Sequence, residues 1–287
     1  MKDSEMRFAT FARAGRLGWG ALTEDGIVPV PGRGRSRGTL KGAIAGGLLT
    51  EAAEYAAGRP AEFALSDVTL LPPIPDPAKI FCIGVNYAAH REETGRKEVG
   101  HPTVFTRFAD SQVGHGQAMV VPRSCERFDY EGELAVVIGR GGRHIGAKDA
   151  MAHVAGYSCY NDGSARDWQR HTSQFTPGKN HPGSGAFGPA LVTPDEIGDY
   201  RELPIETRLN GDVVQRGSLD QLLFSIEEVI EYISGFTPLQ PGDVIVTGTP
   251  SGVGERRDPP LYMKAGDVVE VQAGAVGTLV NPVVQAD

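Results

Sequence analysis

Short apolar runs of strand length dominate the chain from about residue 78 onward. Six such runs are separated by Gly, Pro and Asp: KIFCIGVNY, ELAVVIG, VAGYSCYN, DVIVTGT, DVVEVQAG and GTLVNPVV. Runs rich in β-branched and aromatic residues, bounded by turn residues, are typical of strands. The pattern therefore predicts a β-rich main domain over residues 78–287.

One helix is predicted to interrupt this domain. Ser225 can cap its N-terminus together with Glu228, and Gly235 is expected to end it. Four residues are spaced to form one apolar face: Ile226, Val229, Ile230 and Ile233. We expect this helix to be scaffold. Internal repeats and heptads are absent from the sequence, so solenoids and coiled coils are excluded.

The first 71 residues predict a smaller α+β unit. Its opening segment has short β-prone runs broken by Gly and Asp, and residues 39–57 form an Ala- and Leu-rich stretch expected to be one helix. The prolines that follow, at residues 72–77, favour a stiff linker. The predicted fold class is thus α+β and β-rich, with domains at residues 1–71 and 78–287.

Composition limits the possible partners. The chain has 287 residues, and no stretch approaches the roughly 20 apolar residues of a membrane span. Its first residues lack the basic-then-apolar order of a secretory signal, so a cytoplasmic location without membrane association is expected. The net charge of −8 argues against nucleic acid, although Arg33, Arg35 and Arg37 lie close together.

The three cysteines predict no chemistry. Cys82, Cys125 and Cys159 are an odd number and lack Cys-x-x-Cys spacing. In a reducing compartment this pattern indicates buried thiols rather than disulfides or zinc ligands.

Carboxylates near two strand ends suggest a metal site. Glu131 and Glu133 lie two residues apart at the head of an apolar strand, so both side chains are expected on one face. Their repulsion is costly unless they are solvated, share a proton or bind a cation. Asp162, at the end of another run, suggests the cation, and hard oxygen ligands favour Mg²⁺ or Mn²⁺ over zinc. The alternative is a solvated strand edge.

A histidine and a carboxylate form a second candidate pair. His90 and Glu93 are three residues apart in NYAAHREE, which places both on one face of a helical turn. A carboxylate beside an imidazole fixes its tautomer and raises its basicity, which suits it to accept a proton. The alternative is an ordinary surface or hydrogen-bonded histidine.

Five motifs in a fixed order narrow the possibilities. GVNYAAH, the Glu-x-Glu strand, YNDGSARDWQ, PGKN and VTGTPSGVG follow one another, and this series resembles the fumarylacetoacetate hydrolase family over residues 78–284. The resemblance implies a mixed β-sandwich roll, preceded by the small N-terminal domain of many bacterial members, and usually a homodimer.

The resemblance also assigns roles to individual residues. It places one divalent ion on Glu131, Glu133 and Asp162. The remaining matched residues are His90 and Glu93 as a dyad on a mobile lid, Gln169 and Lys179 facing the substrate carbonyl or enolate oxygen, and Thr249 holding the substrate carboxylate. An ammonium and an amide donor suit a developing oxyanion.

Two arginines have alternative interpretations. Arg107 stands where many relatives are expected to have lysine, and it either clasps a second acidic group of the substrate or forms an ion pair inside the domain. Arg166, close to Asp162 and Gln169, is either a substrate contact or a brace for the metal ligands.

These assignments predict a hydrolase. The expected reaction cleaves a carbon–carbon bond in a 2,4-dioxo acid of the acylpyruvate or fumarylpyruvate type, with water activated by His90 and Glu93 and the enolate charge carried by the metal and Lys179. The alternative is a decarboxylase or isomerase of a 2-oxo diacid, of the oxaloacetate or 2-hydroxyhepta-2,4-diene-1,7-dioate type. A metal-binding module without turnover is disfavoured because storage alone needs no base.

Overall fold

The computed structural model describes residues 7–31, 38–97 and 100–287. The basic segment with Arg33, Arg35 and Arg37 lies outside the described residues. The mobile lid that carries His90 and Glu93 is expected to span residues 90–101, and residues 98 and 99 of this segment also lie outside the described residues.

The described residues form a chain dominated by strands. The strands are β1 Arg7–Arg13, β2 Arg16–Thr23, β3 Gly26–Pro29, β4 Thr69–Leu70, β5 Ile80–Gly84, β6 Thr103–Arg107, β7 Gln112–Val113, β8 Met119–Val121, β9 Phe128–Asp129, β10 Gly132–Ile138, β11 Val154–Asn161, β12 Ser164–Ala165, β13 Gly185–Val192, β14 Pro204–Leu209, β15 Asp212–Ser218, β16 Val244–Val246, β17 Val268–Ala273 and β18 Thr278–Gln285. The α-helices are α1 Leu40–Gly46, α2 Leu49–Ala56, α3 Ala88–Thr94, α4 Ala147–Ala150, α5 Arg166–Gln169, α6 Thr176–Lys179, α7 Pro194–Ile197 and α8 Ile226–Phe236. Each of the six apolar runs singled out in the sequence contains a strand.

The strands assemble into two large mixed sheets. The larger has the order β3-β2-β1-β13-β11-β10-β16-β5-β6, with β4 added at β1 and β7 at β13. The smaller has the order β15-β14-β17-β18-β8. Most pairs are antiparallel, but β16 runs parallel to β5, β18 to β8 and β7 to β13. The β-rich α+β fold predicted from the sequence is therefore confirmed.

Apolar residues cover both faces of the larger sheet. Along β10, Leu134 and Val136 face a core shared with the smaller sheet, where they meet residues such as Ile205 and Val271. The alternate residues of β10 face a second core shared with the N-terminal strands and helices. Because both faces are covered, β10 is buried along its whole length, as the continuous apolar run in the sequence requires.

The N-terminal elements extend the main sheet. Strand β1 pairs with β13 through Arg7↔Val192 and Phe8↔Leu191, so the first strands continue the sheet that carries the main domain. The division into domains at residues 72–77 stays a prediction.

The prediction of a single helix over residues 39–57 is wrong, because the chain breaks at Gly47 into α1 and α2. This glycine has φ +68° and accepts the left-handed turn between α1 and α2 at no steric cost.

Helix α8 follows its predicted pattern closely. Ser225 and Glu228 form a reciprocal capping box, and the four predicted apolar residues are buried. The helix ends at Phe236, one residue beyond the predicted end. The cysteines are free and buried, as expected. Within the described ranges, no helix is both long and apolar enough to cross a membrane.

Candidate metal centre and active site

Three carboxylates converge where β10 begins and β11 ends. These antiparallel strands pair through Gly132↔Asn161, and the backbone N–H of Asp162 donates to the carbonyl of Glu131 at 2.8 Å. The pairing brings Glu131, Glu133 and Asp162 together, with one carboxylate oxygen of each lying within 4.8 Å of the others. All three are buried. The solvated strand edge, which was the alternative interpretation, is therefore excluded by their burial.

The carboxylates of this triad differ in their partners. Glu131 accepts from Lys179 Nζ at 2.7 Å and lies 2.7 Å from Nη2 of Arg166. Burial alone would raise the pKa of Glu131, but the charges of Lys179 and Arg166 lower it to about 2. Asp162 receives Lys179 Nζ at 2.6 Å on one oxygen and Arg107 Nη1 on the other. Glu131 is thus held as a carboxylate, and both oxygens of Asp162 accept from cationic side chains.

Glu133 has no cationic partner among the described residues. It accepts the backbone N–H of Gly248 at 2.5 Å. Burial, together with the negative charges of Asp162 and Glu131, raises the pKa of Glu133 well above its ordinary value. A divalent cation at this point would remove that repulsion, and three hard oxygen donors suit such a cation. The site therefore fits a divalent metal ion.

The glycine-rich turn of VTGTPSGVG donates backbone N–H groups to three acids. Gly248 donates to Glu133, Gly252 donates to Glu93 at 2.9 Å, and Gly254 donates to Asp129 at 2.7 Å. At Gly254 a Cβ atom would lie 1.8 Å from a backbone oxygen of Leu261, so only glycine fits there. This turn therefore contacts a residue of the triad, a residue of the dyad, and Asp129, which accepts from Arg166.

The predicted dyad is assembled in α3. Nδ1 of His90 lies 3.0 Å from Oε2 of Glu93, and His90 is buried. Because a carboxylate only accepts, Nδ1 carries the proton in the neutral imidazole and Nε2 is left free to take one. The other oxygen of Glu93 is held by Gly252. Whether this segment moves as a lid stays a prediction.

Glu131 and Glu133 of the triad and His90 of the dyad line one cavity. It has a volume of about 420 Å³. The predicted site residues that line it are His90, Glu131, Glu133, Arg166, Gln169, Lys179 and Thr249. A 2-oxo acid of four or five carbons is small enough to enter such a space.

Gln169 and Thr249 are held by polar neighbours. Oε1 of Gln169 accepts from Arg166 at 2.8 Å. The hydroxyl of Thr249 donates to the carbonyl of Gly132 at 2.9 Å and accepts from Gln215 at 2.8 Å. Their roles toward a substrate stay predictions.

Arg107 lies beneath the site. Its fully buried guanidinium contacts Asp162, the carbonyl of Gly163 at 3.0 Å and the hydroxyl of Ser184 at 2.8 Å. It is absent from the residues that line the cavity. This position corresponds to the ion pair inside the domain, which was one of the two interpretations of Arg107.

The location of Arg166 is compatible with both roles considered for it, a substrate contact and a brace for the metal ligands. It lines the cavity and also braces Glu131, and its Nε donates to Asp129 at 2.9 Å. Asp129 is buried and accepts from the backbone of Gly254 and Glu255 as well. Sequence analysis missed Asp129, although it lies two residues before Glu131 in the same acidic segment.

Most of the chain matches the model of one protein family. The model described as "Fumarylacetoacetate (FAA) hydrolase C-terminal" matches residues 79–284. The matched range covers nearly the whole extent of the sequence resemblance.

Two relatives are named after the same reaction, the tautomerisation of oxaloacetate. A human mitochondrial oxaloacetate tautomerase is 45% identical over 221 residues, which is 76% of this chain and 70% of the relative. An oxaloacetate tautomerase of Bacillus subtilis (strain 168) is 43% identical over 225 residues, which is 77% of this chain and 75% of that protein.

Solved structures share the fold over almost the full length. A fumarylacetoacetate hydrolase from Exiguobacterium antarcticum has a TM-score of 0.85 and 34% identity, covering 98% of this chain and 99% of the other. A 5-carboxymethyl-2-hydroxymuconate delta-isomerase from Mycobacterium smegmatis has a TM-score of 0.78 and 31% identity, covering 98% and 100%. The mixed β-sandwich roll expected from the resemblance to the fumarylacetoacetate hydrolase family is thus confirmed.

These names correct the predicted reaction. The curated relatives are tautomerases and one of the structural neighbours is an isomerase, so the prediction of a hydrolase acting on carbon–carbon bonds is wrong. The physical reason for the error lies in the dyad. A base that can activate water can equally take a proton from carbon, so His90 and Glu93 do not distinguish the two reactions.

Proposed function

This chain belongs to the fumarylacetoacetate hydrolase family, and from that premise we propose that it catalyses keto–enol tautomerisation of a 2-oxo diacid of the oxaloacetate type. One observation carries the proposal. Glu131 and Glu133, which form the buried triad together with Asp162, line the same cavity as His90, which Glu93 holds. One small ligand can therefore reach both the proposed metal site and the proposed base.

The charge of the cavity supports a dianionic substrate. Five cationic side chains line it: Arg96, Arg166, Arg170, Arg256 and Lys179. Three carboxylates line it, namely Glu131, Glu133 and Glu255. The cationic excess is local, because the whole chain carries a net charge of −8.

We propose Mg²⁺ or Mn²⁺ as the metal, held by Glu131, Glu133 and Asp162. Its three protein ligands are hard carboxylate oxygens, which both ions prefer. When bound, such an ion supplies a Lewis acid that lowers the energy of negative charge on a 2-oxo acid.

The proton transfer is assigned to His90. Neutral His90 takes a proton from C3 of the keto acid through Nε2, and Glu93 stabilises the resulting imidazolium. The C3–H bond breaks, its electron pair forms the C2–C3 double bond, and the 2-oxo oxygen gains a proton from the imidazolium. No atom is gained or lost overall, and the reverse path returns the keto form.

Lys179 and Gln169 are assigned to the enolate oxygen. Lys179 is buried and already lies on two of the carboxylates, so its charge is fixed beside the place where negative charge develops. The amide nitrogen of Gln169 is free to donate because its oxygen accepts from Arg166. Thr249 is assigned to the substrate carboxylate at the glycine-rich turn.

The test is a direct assay of ketonisation. Enol oxaloacetate, prepared in an aprotic solvent, is mixed with purified protein and Mg²⁺ or Mn²⁺, and the enol absorbance is followed by stopped flow. Catalysed loss of the enol that outpaces pyruvate formation supports tautomerisation. A rate equal to buffer alone overturns the proposal. Pyruvate formed as fast as the enol disappears identifies a decarboxylase instead.

Two further properties stay predictions. A homodimer in the cytoplasm is expected, and light scattering after gel filtration tests the oligomeric state. The human relative is mitochondrial by name. Cell fractionation therefore tests the cytoplasmic location predicted for this chain.

A further inference from the structure

Three arginines converge on the outer part of the active-site cavity. Arg96 follows α3, Arg170 follows α5, and Arg256 lies in a short helical turn after the glycine-rich segment. All three line the cavity. All three are also exposed residues, so they lie at its mouth while the triad lies buried within.

Arg96 is held by an aromatic shelf rather than by an acid. The central carbon of its guanidinium lies 4.9 Å from the ring centre of Phe175, which also lines the cavity. Phe175 is itself held edge-to-face by Phe105 at 5.5 Å. Among residues 7–31, 38–97 and 100–287, no carboxylate forms an ion pair with Arg96. The ring of Phe175 therefore orients the guanidinium of Arg96, and its N–H groups can still donate to a ligand.

The neighbouring arginines leave positive charge uncompensated. Arg170 pairs with Oε2 of Glu255, but the same oxygen lies 3.8 Å from Arg166. Arg256 donates to the backbone carbonyl of Thr94 at 3.4 Å. Partial burial lowers the pKa of Arg96, and so does repulsion by the nearby charges of Arg170 and Arg256. An anion bound between them would relieve that repulsion.

Exposed arginines are often only solvated, but three features separate this cluster from an ordinary charged surface. The side chains come from three distant segments yet meet at one cavity. An aromatic ring fixes one of them. Moreover, the cluster lies in a chain of net charge −8, so it is a local concentration of positive charge rather than a general basic character.

We propose that Arg96, positioned on Phe175 and flanked by Arg256 and Arg170, binds the distal carboxylate of the 2-oxo diacid. The inference rests on the proposed function, since it assumes that the 2-oxo acid end of the ligand lies at the triad. A guanidinium matches a carboxylate in a bidentate, charge-assisted pair. The cluster thereby selects 2-oxo diacids over 2-oxo monoacids.

The experiment compares two stable ligands that share one head group. Oxamate presents a 2-oxo acid head alone, and N-oxalylglycine presents the same head with a second carboxylate. Their dissociation constants are measured by calorimetry at saturating Mg²⁺ and about 0.15 M ionic strength, where charges farther than about 8 Å are largely screened. We expect the wild type to bind N-oxalylglycine at least about tenfold more tightly, since charge-assisted bonds contribute that much or more.

Variants locate the preference. Arg96→Gln should weaken N-oxalylglycine about tenfold and oxamate less than about twofold. Arg96→Lys, which keeps the charge without the planar fork, should give an intermediate loss. Phe175→Leu should weaken only the diacid, by about threefold. Arg59→Gln is the matched control: this arginine lies over Tyr55 near α2, away from the cavity, and its loss should change neither ligand.

The results that overturn the subsite are distinct from those that overturn the reaction. Equal affinity of the wild type for both ligands, equal losses of both in Arg96→Gln, or the same effect from Arg59→Gln would refute the subsite. A preference for the diacid that depends on Arg96, found together with no tautomerase activity, would refute the proposed reaction and leave the subsite in place.

Discussion

The Nζ atom of Lys179 lies 2.7 Å from Oε2 of Glu131, and both side chains are buried. The contact ties the proposed oxyanion-stabilising group to a proposed metal ligand. Because the same ammonium also lies 2.6 Å from Asp162, two of the three carboxylates of the triad share one cationic partner. Within the described part of the chain, Glu133 has no cationic partner, so a bound cation would relieve the most repulsion at this residue.

Metal binding should therefore depend strongly on Glu133. Replacing Glu133 by Gln removes one charged oxygen ligand, and we expect the affinity for Mg²⁺ and Mn²⁺ to fall by at least about tenfold. Titration calorimetry measures this directly. Glu54→Gln, an exposed change of equal charge on α2, is the control. An unchanged affinity in Glu133→Gln would show that the triad is not the metal site.

The same substitution should stabilise the metal-free protein. Burial and two neighbouring carboxylates raise the pKa of Glu133, so between the unfolded value of about 4.3 and its folded value the native state binds more protons than the unfolded state. Stability consequently falls as pH rises through that window, whereas Gln does not titrate. We expect the Tm of metal-free Glu133→Gln to exceed that of the wild type by at least about 2 °C at pH 7.

The advantage should shrink as the pH is lowered and disappear below about 4.3, where Glu133 is protonated in both states. Scanning calorimetry with a chelator, at several pH values, tests both the sign and the trend. A variant less stable than the wild type at pH 7 would contradict the account of Glu133.

Lys179 should matter for stability mainly when metal is absent. Lys179→Met leaves Glu131 and Asp162 buried without their shared cation, and breaking a buried pair in this way costs about 3–5 kcal/mol. We expect a large fall in Tm without metal and a larger rescue by Mg²⁺ than in the wild type. Lys264→Met is the control, since that lysine is 74% exposed in its pair with Asp267. Equal Mg²⁺ effects on wild type and Lys179→Met would refute this role.

The dyad should matter for turnover rather than for metal binding. His90→Ala removes the proposed base, and we expect the rate of tautomerisation to fall by about 10² to 10⁴. Glu93→Gln keeps the imidazole but weakens its orientation, so a smaller loss of about 10 to 100-fold is expected. The Mg²⁺ affinity of both variants should stay within about twofold of the wild type. Full activity in His90→Ala would assign the proton transfer to another group.

Much of the site follows from local sequence patterns. The two-residue spacing of Glu131 and Glu133 and the three-residue spacing of His90 and Glu93 are properties of a strand and a helix, so sequence alone places each pair. Asp162 belongs to the triad only because β10 and β11 pair in the register Gly132↔Asn161. The place of Asp162 at the end of a strand-like run suggested this role, and the family resemblance assigned Asp162 to the same metal.

The parts that sequence analysis missed depend on distant contacts. Asp129 receives backbone N–H groups from a turn about 125 positions later in the chain, and no local pattern announces that pairing. The cluster of Arg96, Arg170 and Arg256 likewise exists only once three segments meet at the cavity. The reaction was mispredicted for a different reason, since one metal site and one base serve both water activation and proton abstraction.

Proton exchange at C3 of oxaloacetate tests the central claim most directly. In D₂O with purified protein and Mg²⁺, proton NMR follows the loss of the C3 signal and the appearance of pyruvate in the same sample. We predict that the wild type accelerates exchange far beyond its formation of pyruvate, and that His90→Ala and Glu133→Gln both lose this acceleration. Exchange no faster than in buffer, or exchange that survives in both variants, would contradict a metal-assisted tautomerase built on the triad and the dyad.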